Sequence, residues 1–343
     1  MRVAILAHGK FPADAKTAVG VLRYSDDEVV AVLDRTRAGE RVSDHLPEVQ
    51  DAPIVEGMSA VDDCDALLVG IAPIGGGFDD SWRPDVRTAI ERGCDVVAGL
   101  HELLADDEAF ARLADEHDAA LRDVREPPDD LTVASGTAGD VDAHVVLTVG
   151  TDCSSGKMTG AFELRNEARR HGLDARVVPT GQTGIMIAGW GIAIDRVVAD
   201  FAAGATERLV ERAGDHDVLF VEGQGALAHP AYSGVTASIL HGAQPDSLVL
   251  CHVAGQSQVG GYESFHLPDP AAYASLYEAV ADPVSGAAVD AGFLNTSSLG
   301  PAAAATAVES AQAELGVPVT DPIRDGVGAT LGAVLPDSLW AGE

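Results

Sequence analysis

Short apolar runs alternate with amphipathic stretches along the first 135 residues of the chain. The strand-like runs cover residues 2–7, 28–33, 66–71 and 95–98. A glycine-rich loop is predicted at 73–77, and a helix is predicted over 83–92, where Gly93 closes it. This alternation is typical of a parallel sheet with helices on both faces. It predicts a Rossmann-like domain over residues 1–135.

A second series of strand-like runs follows a stretch rich in proline, glycine and acidic residues at 126–139, which predicts a linker between domains. The runs of this series cover residues 143–149, 175–178, 217–221, 247–252 and 288–294. Continuous apolar runs indicate strands that are buried on both faces of a parallel sheet. The sequence therefore predicts an α/β protein with a second domain over residues 136–343.

Composition narrows the class of protein. The 54 acidic and 22 basic residues give a formal charge of −32, which is typical of a salt-adapted, halophilic surface, since salt shortens the Debye length to ~3 Å at 1 M. No basic stripe is present to neutralise phosphates, so nucleic acid is not expected as a partner. The four cysteines form no C-x-x-C pair and the first apolar run is only strand-length. We therefore expect a cytoplasmic protein with no membrane partner.

The first strand of the second domain runs into a glycine-containing turn, and a helix-like stretch follows the turn. Backbone N–H groups and a helix N-terminus converge on an anion in such a turn, and the lysine reaches the outer phosphates. The turn has one residue more than the usual G-x-x-x-x-G-K-[ST] loop, and Met158 stands where a magnesium-binding hydroxyl normally follows the lysine. The residues predicted to hold the phosphates are Gly150, Thr151, Asp152, Cys153, Ser154, Ser155, Gly156, Lys157, Met158 and Thr159. The pattern predicts a P-loop NTPase-like domain with a mostly parallel sheet.

An acidic residue, Glu222, ends the strand-like run at 217–221. A carboxylate at this place can bind or orient a magnesium ion beside the phosphates, as phosphoryl transfer requires. The predicted metal ligands are Thr159, Asp152 and Glu222. Thr159 is included because it is the hydroxyl nearest to Lys157 on the helix side of the turn.

Further polar residues follow other predicted strands of this domain. Open α/β sheets bind ligands beyond the carboxyl ends of their strands, so these residues are expected to face the same ligand. The predicted substrate and loop residues are Thr180, Gly181, Gln182, Thr183, Gly184, Gln224, Tyr232 and Arg324. Asn295 is a candidate contact to a nucleotide base, and His229 is either a catalytic residue or a histidine that satisfies backbone groups.

The phosphate loop resembles that of dethiobiotin synthetase, which carries the same extra residue, and Val221-Glu222-Gly223 resembles the metal-binding acidic motif of that enzyme. A closer resemblance covers nearly the whole chain. It rests on strings such as those at 150–153, 156–159, 180–184, 222–225 and 229–233, and it points to the two-domain P-loop family labelled D-glutamate N-acetyltransferase-like (DgcN), long carried as a domain of unknown function. Met after the lysine is usual in that family. The resemblance implies a Rossmann-like and a P-loop domain, homo-oligomers, and acetylation of D-glutamate from acetyl-CoA.

Three functions are left open by the sequence. The first is N-acyl transfer to an acidic amino acid, with acetyl-CoA held at the loop, Arg324 paired with the substrate carboxylate, and Glu222 or His229 as the base. The second is ATP- and Mg²⁺-dependent activation of a carboxylate, in which Lys157 neutralises charge on the transferred phosphoryl group. The third is a nucleotide-binding regulatory module without chemistry of its own. The small-molecule partner differs among the three, and the phosphate loop is common to all of them.

Overall fold

The computed structural model of the protein describes residues 1–71 and 76–339. The chain forms two compact units. The first contains residues 1–127 together with 182–193, and the second contains residues 128–181 together with the chain from 194 onward. The glycine-rich loop predicted at 73–77 lies for the most part outside the described residues.

A six-stranded parallel sheet forms the centre of the first unit. Its strands are β1 (Arg2–Leu6), β2 (Glu28–Leu33), β3 (Ile54–Val55), β4 (Ala66–Val69), β5 (Asp95–Ala98) and β6 (Leu121–Asp123). They are arranged in the order β3-β2-β1-β4-β5-β6, which is the strand order of a Rossmann fold. The predicted Rossmann-like class is confirmed, and β3 and β6 are the two short strands that the apolar pattern did not indicate.

The helices of the first unit come from two separate parts of the chain. They are α1 (Lys16–Tyr24), α2 (Arg83–Glu91), α3 (Glu108–His117) and, from the inserted segment, α5 (Gln182–Ala188). The inserted helix packs against α1, and the hydroxyl groups of Thr17 and Thr183 share a hydrogen bond of 2.8 Å. Three of the five residues in the loop predicted at 180–184 therefore begin a buried helix of the first unit.

Asp34 follows β2, where a Rossmann unit often places a ribose-binding carboxylate. Its side chain is completely buried and accepts hydrogen bonds from the backbone N–H groups of Gly9, Phe11 and Thr36 and from the Thr36 hydroxyl. Burial raises the pKa of Asp34, but these hydrogen bonds outweigh it and hold the pKa below its usual value. The carboxylate therefore connects the loop at residues 9–11 to the loop at residues 34–36.

The second unit contains another six-stranded parallel sheet. Its strands are β7 (His144–Gly150), β8 (Ala175–Val178), β9 (Val218–Glu222), β10 (Ser247–Val253), β13 (Ala288–Asn295) and β14 (Val319–Thr320). They lie in the order β14-β13-β10-β7-β9-β8, so β7 is central and has β10 and β9 as neighbours. This confirms the predicted α/β class with a mostly parallel sheet in the second domain.

Helices flank this second sheet, and a small antiparallel hairpin follows β10. The helices are α4 (Lys157–Arg170), α6 (Ala199–Arg212), α7 (Ser233–Ala243), α8 (Pro270–Ala281), α9 (Pro301–Leu315) and α10 (Gly328–Val334). The hairpin consists of β11 (Gln258–Val259) and β12 (Tyr262–His266). Gly261, with φ +76°, supplies the backbone conformation that its tight turn requires.

The stretch predicted as a linker is bound to the second unit. The Glu207 carboxylate on α6 accepts hydrogen bonds from the backbone N–H groups of Ser135, Gly136 and Thr137 at 2.6–2.8 Å. Helix α6 also approaches the linker so closely that a Cβ on Gly204 would lie 2.1 Å from the Thr132 carbonyl oxygen. Residues 132–137 are thus held in place by α6.

Candidate functional site

The phosphate loop joins the central strand β7 to helix α4. Gly150 ends the strand and Lys157 begins the helix, with Gly156 (φ +107°) and Ser154 (φ +54°) in the left-handed region between them. A Cβ on Gly150 would lie 2.4 Å from Ser155 Oγ and 2.8 Å from Lys157 Nζ. The loop therefore packs closely around the lysine, and a side chain at position 150 would displace Ser155 Oγ and Lys157 Nζ.

The Lys157 side chain is buried inside this loop, with 6% of the residue exposed. Its ammonium group donates to the Asp152 carbonyl oxygen at 2.7 Å and to Ser155 Oγ at 3.4 Å. Lysine is almost never buried to this extent in a soluble protein unless it is paired or functional. Of the two residues that follow, Met158 packs into the core and Thr159 is half-buried on the first turn of α4.

Glu222 lies at the end of β9, directly beside Thr148 of β7 in the strand register. A Cβ on the next residue, Gly223, would lie 3.2 Å from Lys157 Cδ. The lysine and the carboxylate-bearing residue therefore belong to one edge of the sheet. Glu222 Oε2 accepts the backbone N–H groups of Thr180 and Gly181, each at 3.3 Å.

The loop after β8 completes this side of the site. The Thr180 hydroxyl donates to the Glu222 carbonyl oxygen and accepts from Gln224 Nε2 at 3.2 Å. A Cβ on Gly181 would meet the Gln224 side chain at 2.5 Å. The structure thus brings Glu222, Gln224, Thr180 and Gly181 together, as predicted for one sheet edge, whereas Gln182, Thr183 and Gly184 begin α5 of the first unit.

The Asp152 carboxylate connects the phosphate loop to the hairpin of β11 and β12. Its Oδ1 accepts the Cys153 backbone N–H at 2.7 Å. Its Oδ2 accepts the Gln256 side-chain amide at 2.5 Å and the Gly260 backbone N–H at 2.7 Å. Three N–H donors therefore surround this carboxylate. A metal ion bound to Asp152, as predicted, would compete with these donors for the carboxylate oxygens.

His229 is held in a defined orientation by the turn that follows it. Its Nδ1 accepts the backbone N–H groups of Ala231 at 3.0 Å and Tyr232 at 3.2 Å, so the ring proton is on Nε2. Nε2 faces Asp152 Oδ1 at 3.8 Å. Burial lowers the pKa of His229, and although Asp152 raises it, Lys157 lowers it again. His229 is therefore neutral at pH 7 and presents an N–H donor.

Asp152, Cys153 and His229 have potential metal-ligand atoms within 4.8 Å of one another. A neutral histidine binds a metal through a bare ring nitrogen while its other nitrogen donates a proton. In His229 the bare nitrogen is Nδ1, which is already occupied by two backbone N–H groups. The arrangement therefore does not suit a metal ion at His229.

Aromatic side chains surround the loop. The His229 ring lies 4.6 Å from the Tyr232 ring and 5.1 Å from the Tyr262 ring, and Tyr232 is 49% exposed. Beneath the loop, the Tyr277 hydroxyl donates to the Gly150 carbonyl oxygen at 2.7 Å, and the ring of Tyr273 stacks on that of Tyr277 at 6.1 Å. Sequence reasoning missed Tyr273 and Tyr277, for which the only signal was two tyrosines at helical spacing in an alanine-rich segment.

Two predicted residues lie at the far side of the sheet edge, beyond β10. Asn295 ends β13, and its Oδ1 accepts the Ser297 backbone N–H at 3.0 Å. Arg324 donates to the Leu299 carbonyl oxygen at 2.8 Å, and its Nε lies 3.8 Å from Asp321 Oδ2. Both side chains thus hold local loops, and their roles in contacting a base and a substrate carboxylate stay predictions.

No helix in the described ranges 1–71 and 76–339 has the length and apolar character needed to cross a membrane.

Two protein-family models match the chain: the DUF1611 P-loop domain over residues 132–331, and the DUF1611 Rossmann-like N-terminal domain over residues 35–127, both described as domains of unknown function.

Curated relatives and a solved structure agree with this match. The chain is 37% identical to a D-glutamate N-acetyltransferase from a Pseudoalteromonas species over 76% of this chain and 78% of that protein. It is 32% identical to a D-glutamate N-acetyltransferase from Tritonibacter scottomollicae over 93% of this chain and 94% of that protein. A crystal structure of a DUF1611 family protein from Anabaena variabilis superposes with a TM-score of 0.91 at 40% identity, covering 97% of this chain and 98% of the other.

Both relatives are named as transferases, and each match covers more than three quarters of both chains. This chain is likewise a transferase. Its Rossmann strand order and its phosphate loop agree with the names of the two family models, a Rossmann-like domain and a P-loop domain. The chain belongs to the DUF1611 family.

Proposed function

We propose that this protein transfers the acetyl group of acetyl-CoA to the amino group of an acidic amino acid, with D-glutamate as the acceptor. The observation that carries the proposal is the similarity, over 93% of the chain, to a protein named D-glutamate N-acetyltransferase. The phosphate loop supports it, because coenzyme A carries a diphosphate and a 3′-phosphate that a cradle of N–H groups and a lysine can bind.

The residues of the loop fit such an anion. A Cβ at position 150 would crowd Ser155 Oγ and Lys157 Nζ, and the Lys157 ammonium is buried among carbonyl and hydroxyl oxygens at the N-terminus of α4. A buried ammonium and a helix N-terminus both favour a negatively charged ligand. When bound, acetyl-CoA supplies a thioester carbonyl that an amine can attack. The role of Lys157 is then to hold the phosphates.

In acetyl-CoA the diphosphate that the loop would bind is far from the thioester that reacts. Its pantetheine arm is about as long as four extended residues, roughly 14 Å, so a side chain that touches the diphosphate does not reach the thioester. If the loop holds the diphosphate, Lys157 contributes to the affinity for the donor and little to the chemical step. The rate of transfer from acetyl-pantetheine, a donor without phosphates, should then be the same with and without the Lys157 side chain.

The second candidate function is ATP- and Mg²⁺-dependent activation of a carboxylate. One observation favours it: Glu222 is next to Thr148 in the register of adjacent strands, so a carboxylate stands beside the phosphate cradle. With Thr159 and Asp152 it would hold Mg²⁺, and Lys157 would face the transferred phosphoryl group. In this case Lys157 acts on the chemical step itself. A nucleotide-binding module would bind ATP and release no product.

The test uses purified protein in concentrated salt. Acetyl-CoA is supplied with D- or L-glutamate, and thiol release and N-acetylglutamate are measured; ATP with Mg²⁺ is supplied in parallel, and ADP is measured. We expect N-acetylglutamate without ATP, and a preference for the D isomer. Magnesium-dependent release of ADP, with no acetyl transfer, would reject the proposal in favour of carboxylate activation.

Two lysine variants sharpen this test. Lys157→Ala is expected to raise the KM for acetyl-CoA at least tenfold and to leave the turnover of acetyl-pantetheine unchanged. Lys10→Ala is the matched control, because Lys10 has a half-exposed side chain that forms only a long ion pair of 3.9 Å with the exposed Asp14 carboxylate. A loss of kcat with both donors in Lys157→Ala would show that the lysine serves the chemistry.

Glu222→Gln has a similar control in Glu207→Gln. Both carboxylates are buried and both accept backbone N–H groups, but Glu207 holds residues 135–137 whereas Glu222 lies beside the phosphate loop. We expect both variants to lose stability and only Glu222→Gln to lose activity in the fraction that stays folded. Equal specific activities for the two variants would assign Glu222 a structural role alone.

A further inference from the structure

The exposed aromatic side chains of this protein are concentrated beside the phosphate loop. Within residues 1–71 and 76–339, the exposed tyrosine, phenylalanine and tryptophan residues are Tyr232, Tyr262 and Phe265, of which 49%, 38% and 48% is exposed. Tyr232 directly precedes α7, and the other two lie on β12. A single exposed aromatic residue needs no explanation, but a group of them on one part of the surface indicates a place where something binds.

Tyr232 and Tyr262 contact the same buried histidine. The His229 ring lies 4.6 Å from the Tyr232 ring, with 35° between the ring planes, and 5.1 Å from the Tyr262 ring, with 77° between the planes. His229 Nε2 is in turn 3.8 Å from Asp152 Oδ1, so one side chain separates each tyrosine ring from the phosphate loop. Each tyrosine ring touches His229 with part of its surface, and the exposed remainder is open to a ligand.

Both tyrosines are carried by backbone that is fixed to the site. A Cβ on Gly225 would lie 2.9 Å from Tyr232 Cβ, so the segment that follows β9 packs directly against Tyr232. Tyr262 begins β12, and two residues before it the Gly260 N–H donates to Asp152 Oδ2 at 2.7 Å. Asp152 is thus a positioning residue that attaches the hairpin to the phosphate loop. Rings that are held in place before binding lose little conformational entropy when a ligand arrives.

The two candidate functions use ligands that share one aromatic group, which is the adenine of acetyl-CoA or of ATP. A purine stacks on an aromatic side chain through its π-face, and such stacking is favourable for every base. The acidic acceptor is a poor match, because the face of an aromatic ring offers its carboxylates no hydrogen-bond donor. One ribose separates the adenine from the 5′-phosphates, so a purine that stacks beside the loop keeps its phosphates close to the loop.

We infer that Tyr232 and Tyr262 form a stacking surface for the purine ring of the ligand whose phosphates the loop holds. The inference rests on the proposed function, since both candidate activities bring an adenine group to the loop. It assigns the base to the side of the loop that carries Asp152 and the hairpin. Asn295, the base contact predicted from the sequence, is then not the residue on which the purine stacks.

The hairpin offers a matched set of variants. Tyr262→Leu removes the ring, whereas Tyr262→Phe keeps it. Phe265→Leu is the control, because it deletes a ring of similar exposure from the same strand, and residues three apart on a strand point to opposite faces. Tyr232→Leu and Asn295→Ala test the other two positions. Since both tyrosine rings are exposed, the leucine variants should fold, which circular dichroism checks.

Calorimetric titrations in concentrated salt compare ligands with and without a purine. Coenzyme A and ATP with Mg²⁺ carry one, and tripolyphosphate and 4′-phosphopantetheine do not. We expect Tyr232→Leu and Tyr262→Leu to weaken the binding of the purine ligands roughly tenfold or more, and to change that of the other two less than about twofold. Tyr262→Phe and Phe265→Leu should bind as the wild-type protein does. The purine ligand that the wild-type protein binds identifies the source of the adenine.

Full affinity for coenzyme A and ATP in both leucine variants would overturn the stacking surface. An equal loss in Phe265→Leu would overturn it as well, because the effect would then come from the fold of the hairpin. So would a loss of the same size for tripolyphosphate or 4′-phosphopantetheine, or a loss that occurs in Asn295→Ala alone.

These results are separate from those of the proposed function, because calorimetry requires no turnover. A protein that transfers no acetyl group but binds a purine ligand through its tyrosines supports the stacking surface and rejects acetyl transfer. A wild-type protein that binds neither coenzyme A nor ATP rejects the stacking surface.

Discussion

Removing the hydroxyl of Tyr273 should make the unliganded protein more stable. This hydroxyl is completely buried and has no hydrogen-bond partner within residues 1–71 and 76–339, and an unpaired hydroxyl costs about 1–3 kcal/mol in proteins. Phenylalanine has nearly the same shape, so Tyr273→Phe leaves only a small cavity and little strain. We expect the free energy of unfolding to rise by about 1 kcal/mol.

Tyr277 provides the control, because it lies one helical turn further along α8 and stacks on Tyr273 at 6.1 Å. Its hydroxyl donates to the Gly150 carbonyl oxygen at 2.7 Å. Tyr277→Phe deletes this bond and leaves a buried carbonyl with one partner fewer, which should cost about 1–2 kcal/mol. Two chemically identical substitutions on one helix should thus change stability in opposite directions.

Urea unfolding in concentrated salt, extrapolated to zero denaturant, measures both variants against the wild-type protein. The expected gap between the two variants is about 2–3 kcal/mol, which is several times the usual error of such a comparison. Equal destabilisation by both substitutions would refute the reasoning, since it would mean that the Tyr273 hydroxyl already has a partner in the free protein. A gain in stability together with weaker ligand binding would link the unpaired donor to function.

Three further predictions concern other parts of the chain. Asp34→Asn should cost about 2 kcal/mol, because an asparagine amide has one accepting oxygen where the carboxylate has two, so its NH2 group would face either the Gly9 and Thr36 donors or the Phe11 N–H. Since the pKa of Asp34 is lowered in the fold, this contribution is present above about pH 4 and is lost as the pH falls through the folded-state value, so the free energies of unfolding of the two proteins, measured in urea, should converge in acid. Gly150→Ala should weaken the binding of coenzyme A, measured by calorimetry, because its Cβ would lie 2.4 Å from Ser155 Oγ and 2.8 Å from Lys157 Nζ and would displace both groups; an unchanged affinity would contradict the role given to this loop geometry. The free energy of unfolding should rise between about 0.1 and 2 M KCl as salt screens the charge of −32, and a flat dependence would show that self-repulsion is unimportant.

The phosphate loop was predictable because its signal is local. A continuous apolar run, a glycine at its end and a lysine seven residues later specify a buried strand, a tight turn and a helix start within a short segment. The structure places Gly150 and Lys157 in that arrangement, and the α/β class follows from the same alternation of apolar runs. Glu222 was predictable for a related reason, because adjacent parallel strands end at one edge of the sheet.

Contacts between distant segments were not predictable in this way. The placement of residues 182–193 in the first unit depends on packing of α5 against α1, some 165 residues earlier in the chain, as in the bond between Thr17 and Thr183. The tether from Asp152 to Gln256 and Gly260 likewise joins residues more than 100 positions apart. Neither pairing leaves a periodic pattern in the sequence.

The sequence by itself determined the longer buried strands, the α/β class and the phosphate loop, since each depends on residues that are close together in the chain. The tertiary structure alone decided which nitrogen of His229 carries the proton, and that the Tyr273 hydroxyl is buried with no hydrogen-bond partner in the part of the chain that the structure describes. The physical reason is that hydrogen-bond satisfaction is a property of the space around an atom. That space is filled by several segments whose relative positions are set only when the whole unit has folded.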